Sequence, residues 1–283
     1  MKNYRSQLIA LFGDPVDGNP TGVMMEAAFA DKALDYRYIT MKVEKDDLAP
    51  AMAAVRPMHL RGLGVTMPHK VAIIPYLDEL SPAAAIIGAV NTVVNDNGRL
   101  FGENTDGKGF VQALQNKGVS LEGKQVTVFG AGGAAKAICV ECALAGAKTI
   151  TIVNRTAEKA QALAKTIAEN TSAQASWEQW TPCHKIPAGT QILINATSIG
   201  LHPDGHQKPD IDYSGITPDM VAADVVFNPV DTLFLQEAAN RGALAVNGLG
   251  MLAFQGVLGF RLWTGVEPSR EVMEETLRKE FSE

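Results

Sequence analysis

The first hundred residues alternate between short apolar runs and segments whose apolar positions have helical spacing. LIALFG (8–13) predicts a buried strand that ends in a Gly-Asp-Pro turn. EAAFADKAL (26–34) predicts a helix, and DYRYITMKV (35–43) predicts the next strand. The same periodicities predict a helix, a strand and a helix that begins after Pro68, over residues 46–55, 60–66 and 70–80. This alternation is typical of β-α-β units.

A hairpin and a linker complete this first unit. AVNTVVND (89–96) and RLFGENTD (99–106) flank Asn97-Gly98, an arrangement that predicts a β-hairpin. Polar and glycine residues dominate 102–109, where we expect the linker between two domains.

The second unit begins at residue 124, with KQVTVFGAGGAAKAICVECALAGAKTITIVNRT. A strand enters a glycine run, a helix follows, and TITIV predicts the next strand, as in a dinucleotide-binding βαβ unit. Two strands, a helix, a strand and two helices are predicted after it, over residues 191–197, 220–227, 236–243, 243–248, 251–265 and 269–281.

Composition narrows the class of protein. With 283 residues, 46% of them hydrophobic and 20% charged, the chain fits two folded domains and not a disordered segment. A net charge of −6 disfavours nucleic-acid binding, and no window approaches the roughly 18 apolar residues of a membrane span. We therefore expect a cytoplasmic protein with a small-molecule partner, as a monomer or a homodimer.

The cysteines and histidines do not form a recognisable metal site. Cys139 and Cys142 lie inside an apolar, helix-like run without a second pair or a nearby histidine, so we expect buried structural residues. An odd count, with Cys183, is typical of a reducing compartment. His202 and His206 could act together as metal ligands only if their segment were helical, and Pro203 and Gly205 between them disfavour a helix. We predict no metal.

The glycine run predicts a cofactor site. Gly130 and Gly132 match the first two positions of G-x-G-x-x-G/A, and Ala135 is the alanine variant of the third. The glycines allow a tight turn and close approach of the backbone to a pyrophosphate at a helix N-terminus. The residues expected to contact the cofactor are Gly130, Ala131, Gly132, Gly133 and Ala134.

The end of the second strand indicates which cofactor binds. An NAD site typically has Asp or Glu there, whereas this strand ends in Asn154-Arg155-Thr156, with Lys159 one turn on. Arg155 offers planar donors suited to a 2'-phosphate, so we favour NADP, with NAD still possible. Alternatively, Arg155 and Lys159 are ordinary solvated charges, or Glu158 pairs with the arginine.

GLGVTMPHK (62–70) presents a lysine that core packing does not require. Lys70 is predicted in the first turn of a helix, where the helix dipole disfavours a cation by roughly 0.3–1 kcal/mol. A nearby carboxylate could orient the lysine and share a proton with it, and Asp106 is a candidate. Spacing alone does not show that the two meet. We expect His69 at the surface or behind the site.

A series of short motifs runs through nearly the whole chain. They are GVTMPHK (64–70), GAVNT (88–92), NTDGKGF (104–110), GAGGAAKA (130–137), NRT (154–156), NATSIG (195–200) and NGLGML (247–252), followed by Gln255. In order and spacing they resemble the shikimate/quinate dehydrogenases. The resemblance implies an α/β fold with an N-terminal substrate domain, a Rossmann-like NADP domain and C-terminal helices that return to the first domain. We expect these parts at 1–104, 105–246 and 247–283.

The resemblance also implies residue roles. Lys70 and Asp106 would form the catalytic pair at a cleft between the domains, with Lys70 relaying the proton of the hydroxyl that is oxidised. The residues implied to contact substrate are Thr66, Asn91 and Gln255. Val225 and Gly248 would adjoin the cofactor. Phe227 stands near the substrate, where the family commonly has a tyrosine.

Several positions depart from the family pattern. A His-Ser-x-Ser-Pro run that grips the substrate carboxylate in the family reads Gly18-Asn19-Pro20-Thr21-Gly22 here. Asn19 and Thr21 remain candidate substrate ligands, but an amide and an extra methyl group change the shape of the site. Gly64 replaces an asparagine, and Asn247 stands where aspartate is common. We expect an active dehydrogenase whose preferred acid need not be shikimate.

Three functions follow from these observations. The first is an NADP-dependent dehydrogenase of the shikimate type that acts on a hydroaromatic acid. The second is a quinate-type enzyme that accepts NAD. The third is a catalytically idle NADP-binding sensor, which the presence of both Lys70 and Asp106 disfavours.

Overall fold

The computed structural model describes residues 5–281. The chain divides into two compact units, each with its own sheet. Unit 1 is the chain up to Thr105 together with the segment from Gln255 onward, and unit 2 is Asp106–Phe254. The chain passes from unit 1 to unit 2 after Thr105, one residue beyond the domain boundary expected after residue 104. The chain returns from unit 2 to unit 1 inside a helix, after Phe254 rather than after Val246 as expected.

Unit 1 is built on a mixed sheet in the order β2-β1-β3-β5-β6-β4. The strands are β1 (Gln7–Gly13), β2 (Tyr36–Lys42), β3 (Gly62–Val65), β4 (Glu79–Leu80), β5 (Thr92–Asp96) and β6 (Arg99–Glu103). β1 pairs in parallel with β2 and β3, whereas β5 is antiparallel to β3 and β6. The helices are α1 (Thr21–Asp31), α2 (Leu48–Val55), α3 (His69–Ala72) and α4 (Pro82–Ile87).

The C-terminal helices return to unit 1, as the resemblance implied. Helix α9 (Gly248–Thr264) ends in this unit, and α10 (Arg270–Glu280) packs on α1. Trp263 on α9 donates from Nε1 to Val93 O at 2.9 Å, and Arg61 Nε donates to Trp263 O at 2.8 Å. These bonds satisfy polar groups on both sides of the helix–sheet contact, so α9 is anchored to the sheet and not merely laid on it.

Unit 2 is a parallel sheet in the order β9-β8-β7-β10-β11-β12. The strands are β7 (Gln125–Phe129), β8 (Thr149–Asn154), β9 (Gln174–Gln179), β10 (Ile192–Asn195), β11 (Val221–Asp224) and β12 (Leu244–Val246). The helices are α5 (Thr105–Asn116), α6 (Gly133–Leu144), α7 (Ala157–Asn170) and α8 (Leu233–Ala239). The sheet reverses its chain order between β7 and β10, which is the Rossmann arrangement and the place where dinucleotides bind.

The structure corrects two predictions in the first half of the chain. The helix expected over 70–80 is only α3, because Pro75 has no N–H to continue it and a 3-10 turn follows at Ile74–Tyr76. The linker expected over 102–109 is the end of β6 and the start of α5. Gly107 serves close packing, since a Cβ there would collide with the Ala137 carbonyl oxygen on α6. The Asn97-Gly98 hairpin is confirmed.

Two further features bear on the predictions. Cys139 and Cys142 are free and fully buried in α6, so both are structural residues as predicted. None of the helices described over 5–281 is long and apolar enough to cross a membrane.

Candidate functional site

The carboxyl edge of the sheet in unit 1 gathers segments that are distant in the sequence. β1, β3 and β6 run in one direction and β5 runs in the other. The ends of the first three and the start of β5 therefore lie at the same edge, where open α/β sheets bind their ligands. The predicted residues on the segments that meet there are Asn19, Thr21, Thr66, Lys70 and Asn91.

Lys70 is held by its own short helix. Its carbonyl oxygen accepts a hydrogen bond from Val90 N at 2.7 Å. The adjacent His69 is 1% exposed, and its Nε2 lies 2.7 Å from Val43 O. A carbonyl can only accept, so Nε2 carries the proton. His69 therefore anchors α3 from behind and leaves Lys70 half-buried at the edge of the sheet.

Asn91 connects the lysine segment to the start of α5. Its Oδ1 accepts from Thr105 N at 2.8 Å, and its Nδ2 donates to Thr105 Oγ1 at 3.0 Å. The preceding Asn104 donates from Nδ2 to Ala89 O at 3.1 Å. Asp106 directly follows Thr105 in the chain, so these bonds hold the residue immediately before it.

Asn19 and Thr21 shape the entry to α1. Asn19 Oδ1 accepts from Thr21 N at 3.0 Å, a local bond that fixes the turn leading into the helix. The amide oxygen of Asn19 is therefore occupied, and its Nδ2 remains as a donor. Both side chains are half-buried. The two residues can offer an amide donor and a hydroxyl to a ligand.

The position of Gly64 is explained by a residue that the sequence did not single out. A Cβ at Gly64 would collide with the hydroxyl oxygen of Tyr38, whose side chain extends from β2 across the intervening strand β1. Gly64 and Thr66 project from the same face of the chain, two residues apart. The Tyr38 hydroxyl thus occupies the space of the side chain that the family pattern would have at position 64.

Gln255 and Phe227 lie in different units. Gln255 is half-buried on α9, and the next residue, Gly256, packs so tightly on α1 that a Cβ would collide with Met24. This contact fixes the backbone at Gln255 against the substrate-side unit. Phe227 follows β11 in unit 2 and is half-buried.

The glycine loop of unit 2 fits the pyrophosphate of a dinucleotide. Gly130 has φ +114°, and a Cβ there would lie 2.8 Å from Ala196 O, so the turn requires glycine. A Cβ at Gly132 or Gly133 would have no atom within 4 Å, which leaves open space at the N-terminus of α6. Ala135 is fully buried. The loop can therefore bring backbone N–H groups against a phosphate.

Two exposed, positively charged side chains follow the end of β8. Asn154 Nδ2 donates to Thr156 O at 2.9 Å and shapes the turn that precedes α7. Arg155 and Lys159 are exposed, and neither forms an ion pair with another residue in the described range 5–281. The alternative in which Glu158 pairs with Arg155 is therefore wrong. Both cations are available to an anionic group near the Gly130 loop.

Gly248 lies against the end of β11. A Cβ there would be 2.5 Å from Val226 O and 2.6 Å from Val225 O, so α9 can begin at this point only with glycine. Val225 N in turn donates to Asn195 O at 3.0 Å on the next strand. Val225 and Gly248 are therefore neighbours at the carboxyl edge of the second sheet.

Comparison with known proteins identifies the family. Residues 11–93 match the shikimate dehydrogenase substrate binding domain, 112–199 match shikimate / quinate 5-dehydrogenase, and 248–278 match the shikimate 5'-dehydrogenase C-terminal domain. The shikimate dehydrogenase (NADP(+)) of Desulforamulus reducens is 42% identical, with 99% of this chain and 97% of that protein aligned. The chain belongs to the shikimate dehydrogenase family.

Solved structures of two proteins add to this assignment. A shikimate dehydrogenase in complex with NADP+ matches this family member with a TM-score of 0.91 and 38% identity, over 100% of this chain and 98% of the other. The ligand-free 5-ketofructose reductase of Gluconobacter sp. strain CHM43 matches with a TM-score of 0.95 and 44% identity, over 99% and 100%. Proteins named for different substrates thus share the fold of this shikimate dehydrogenase family member.

A buried carboxyl group ends strand β11 of this family member, directly before Val225. Asp224 is 1% exposed, and burial raises its pKa to about 6. Hydrogen bonds from Thr232 Oγ1 at 2.7 Å, Val226 N at 3.0 Å and Asn195 Nδ2 at 2.9 Å oppose this rise without cancelling it. Asp224 therefore links the ends of β10 and β11 to the start of α8.

We expect Asp224 to make stability depend on pH. The folded protein keeps this proton up to about pH 6, whereas the unfolded chain loses it near pH 4, so the contribution is complete below pH 4 and lost by about pH 6. Urea unfolding should show that the free-energy difference between wild type and Asp224→Asn falls by about 2–3 kcal/mol over this window. A constant difference would contradict the assignment.

Asp212→Asn provides a control of opposite sign. The hydrogen bond from Ser214 lowers the pKa of Asp212, so its contribution is lost as pH falls.

Proposed function

We propose that this protein is an NADP-dependent oxidoreductase that interconverts a secondary alcohol and a ketone on a polyhydroxylated small molecule. The observation that carries the proposal is the placement of Lys70 on an anchored segment at the carboxyl edge of one sheet, in a chain whose second sheet carries a complete dinucleotide loop. Family membership supports the same reaction.

In this proposal Lys70 and Asp106 transfer the proton. During reduction Lys70 gives a proton to the carbonyl oxygen, and during oxidation it takes the proton of the hydroxyl. The Asp106 carboxylate orients the ammonium and shares its proton. When bound, NADPH supplies the hydride that converts the carbonyl carbon to the alcohol carbon. One hydride and one proton per ketone balance the reaction.

NADP is the cofactor that the unpaired cations favour. Arg155 would bind the 2'-phosphate through its planar donors, with Thr156 and Lys159 beside it, while the Gly130 loop would hold the pyrophosphate. Asn154, Val225 and Gly248 would line the rest of the cofactor site. The NADP+ complex of the 38% identical relative supports this assignment. NAD is the weaker alternative, because no carboxylate follows β8 to accept the ribose hydroxyls.

The first candidate substrate is a shikimate-like or quinate-like hydroaromatic acid. The curated relatives named for shikimate support it. Thr66, Asn91 and Gln255 would bind ring hydroxyls, with Asn19 and Thr21 at the opposite end and Phe227 on the cofactor side.

The second candidate is a neutral ketose such as 5-ketofructose. The 44% identical 5-ketofructose reductase, which matches over 99% of this chain, supports it. The replacement of the family's His-Ser-x-Ser-Pro run by Gly18-Asn19-Pro20-Thr21-Gly22 favours it as well, because no cation remains in that segment to meet a carboxylate.

The proposed setting is the cytoplasm. Free cysteines, of which Cys183 is exposed, are compatible with a reducing compartment. All proposed site residues come from one chain, so a monomer suffices and a homodimer is equally compatible.

A substrate panel tests the proposed function. Nicotinamide absorbance should report turnover of shikimate, quinate, 5-ketofructose or the ketone obtained by oxidising shikimate, with NADP(H) used at least ten times more efficiently than NAD(H). Tight NADP binding without turnover of any compound would instead support the idle sensor. Equal use of NAD would support the quinate-type alternative.

A further inference from the structure

Tyr38 places a phenol hydroxyl beneath the substrate edge of unit 1. Its backbone N is held by Glu26 Oε1 at 2.5 Å, and its ring lies 6.0 Å from that of Trp263, centroid to centroid. The ring edge lies 3.6 Å from where a Cβ would be at Gly22, in the first turn of α1. The hydroxyl reaches Gly64, two residues before Thr66. Tyr38 therefore spans from the entry of α1 to the end of β3.

This hydroxyl has no hydrogen-bond partner among residues 5–281, although the side chain is only 7% exposed. The hydroxyl oxygen is not among the buried side-chain atoms that lack a partner, so it reaches solvent at the edge of the sheet while the ring is buried. Burial also raises the pKa of the phenol, so the group stays neutral and can both donate and accept. A ligand hydroxyl at the edge would satisfy it.

The charge at the entry to α1 does not suit an anionic ligand. Residues 13–31 contain no Lys, Arg or His, while Asp14 and Asp17 lie in the loop that leads to Asn19. Lys42 is already engaged, 2.9 Å from Glu44 and 4.0 Å from Asp14. A carboxylate placed at the entry of α1 would therefore find no free cation in residues 13–31, and Lys42 is shared between Glu44 and Asp14.

We propose that Tyr38 is a specificity-determining residue and that it binds a hydroxyl of a neutral, polyhydroxylated ketone, together with the Asn19 amide. The inference rests on the proposed function and chooses between its two candidate substrates. The hydroxyl of Tyr38 replaces the missing side chain at Gly64, and the acidic loop disfavours a carboxylate. The ketone is reduced by one hydride from the nicotinamide and one proton from Lys70, as set out above.

The test compares Tyr38→Phe with Tyr36→Phe in the full-length protein. Both tyrosines lie on β2, two residues apart, and each change removes one oxygen. With NADPH and 5-ketofructose, Tyr38→Phe should lower kcat/KM about 10–100-fold, the loss of one buried hydrogen bond, while KM for NADPH and Tm stay unchanged. Tyr36→Phe should match wild type. Wild type should also prefer 5-ketofructose to the ketone form of shikimate by at least tenfold.

Two results would overturn the proposal while leaving the proposed function intact. One is wild-type turnover of the shikimate ketone in preference to 5-ketofructose. The other is Tyr38→Phe kinetics that match those of Tyr36→Phe. Absence of turnover with both ketones in the wild type, despite NADPH binding, would overturn the proposed function and this inference with it.

Discussion

Replacing Lys70 with alanine should lower kcat by a factor on the order of 10² to 10⁴, the usual contribution of a positioned general acid or base. The proton that must reach the carbonyl oxygen would then come from water instead of from a positioned side chain. KM for NADPH should be unchanged, because Lys70 lies in unit 1 and the dinucleotide loop lies in unit 2. Steady-state kinetics with the best ketone of the panel measure both quantities.

Lys45→Ala is the matched control for this change. Lys45 is an exposed lysine of the same unit, on the short helical turn before α2. Its removal should leave kcat and KM at wild-type values. If Lys70→Ala kept wild-type kcat while Tm was unchanged, Lys70 would have no role in proton transfer.

Arg155→Ala should raise KM for NADPH by about 10–100-fold and leave KM for NADH nearly unchanged. The expected size follows from the roughly 1.5–3 kcal/mol of a hydrogen bond to a charged group. Arg155 has no ion-pair partner in the described part of the chain, so its removal strands no carboxylate and should not affect folding. The ratio of the two kcat/KM values is the quantity to measure.

Lys148→Ala controls for the loss of a surface cation. Lys148 is exposed and immediately precedes β8, at the end of that strand opposite Arg155. It should alter neither KM. Equal losses with NADPH and NADH in Arg155→Ala would show that the arginine does not recognise the 2'-phosphate.

Local signals in the sequence were sufficient for much of the fold. Asn97-Gly98 predicts its hairpin because a two-residue turn of this type needs positive φ, which both residues adopt. The βαβ unit around Gly130 was equally clear, since the strand, glycine turn and helix follow one another directly. In both cases the residues that determine the structure are adjacent in the chain.

Predictions were wrong where a local signal had a tertiary cause. The glycines of 102–109 indicated a flexible linker, yet Gly107 is required by the contact of α5 with Ala137 on α6.

Strand β9 was not predicted because its side chains are mostly exposed, so it lacks the alternating apolar pattern of a half-buried strand.

The candidate site was predictable only in part, for the same reason. Lys70 and the glycine loop stand out as motifs, whereas Tyr38 has no motif of its own. Its hydroxyl matters because it reaches Gly64, which is distant in the sequence and near only across the sheet. Likewise, nothing near His69 in the sequence shows that Val43 O would anchor it.

The central claim is that Lys70 and Asp106 act on one proton, and a double-mutant cycle tests it most directly. The kcat values of wild type, Lys70→Ala, Asp106→Asn and the double variant should be measured with the same ketone and saturating NADPH. If the residues act as a unit, the double variant should be about as slow as the slower single variant. A double variant whose loss equals the product of the two single losses would contradict the claim.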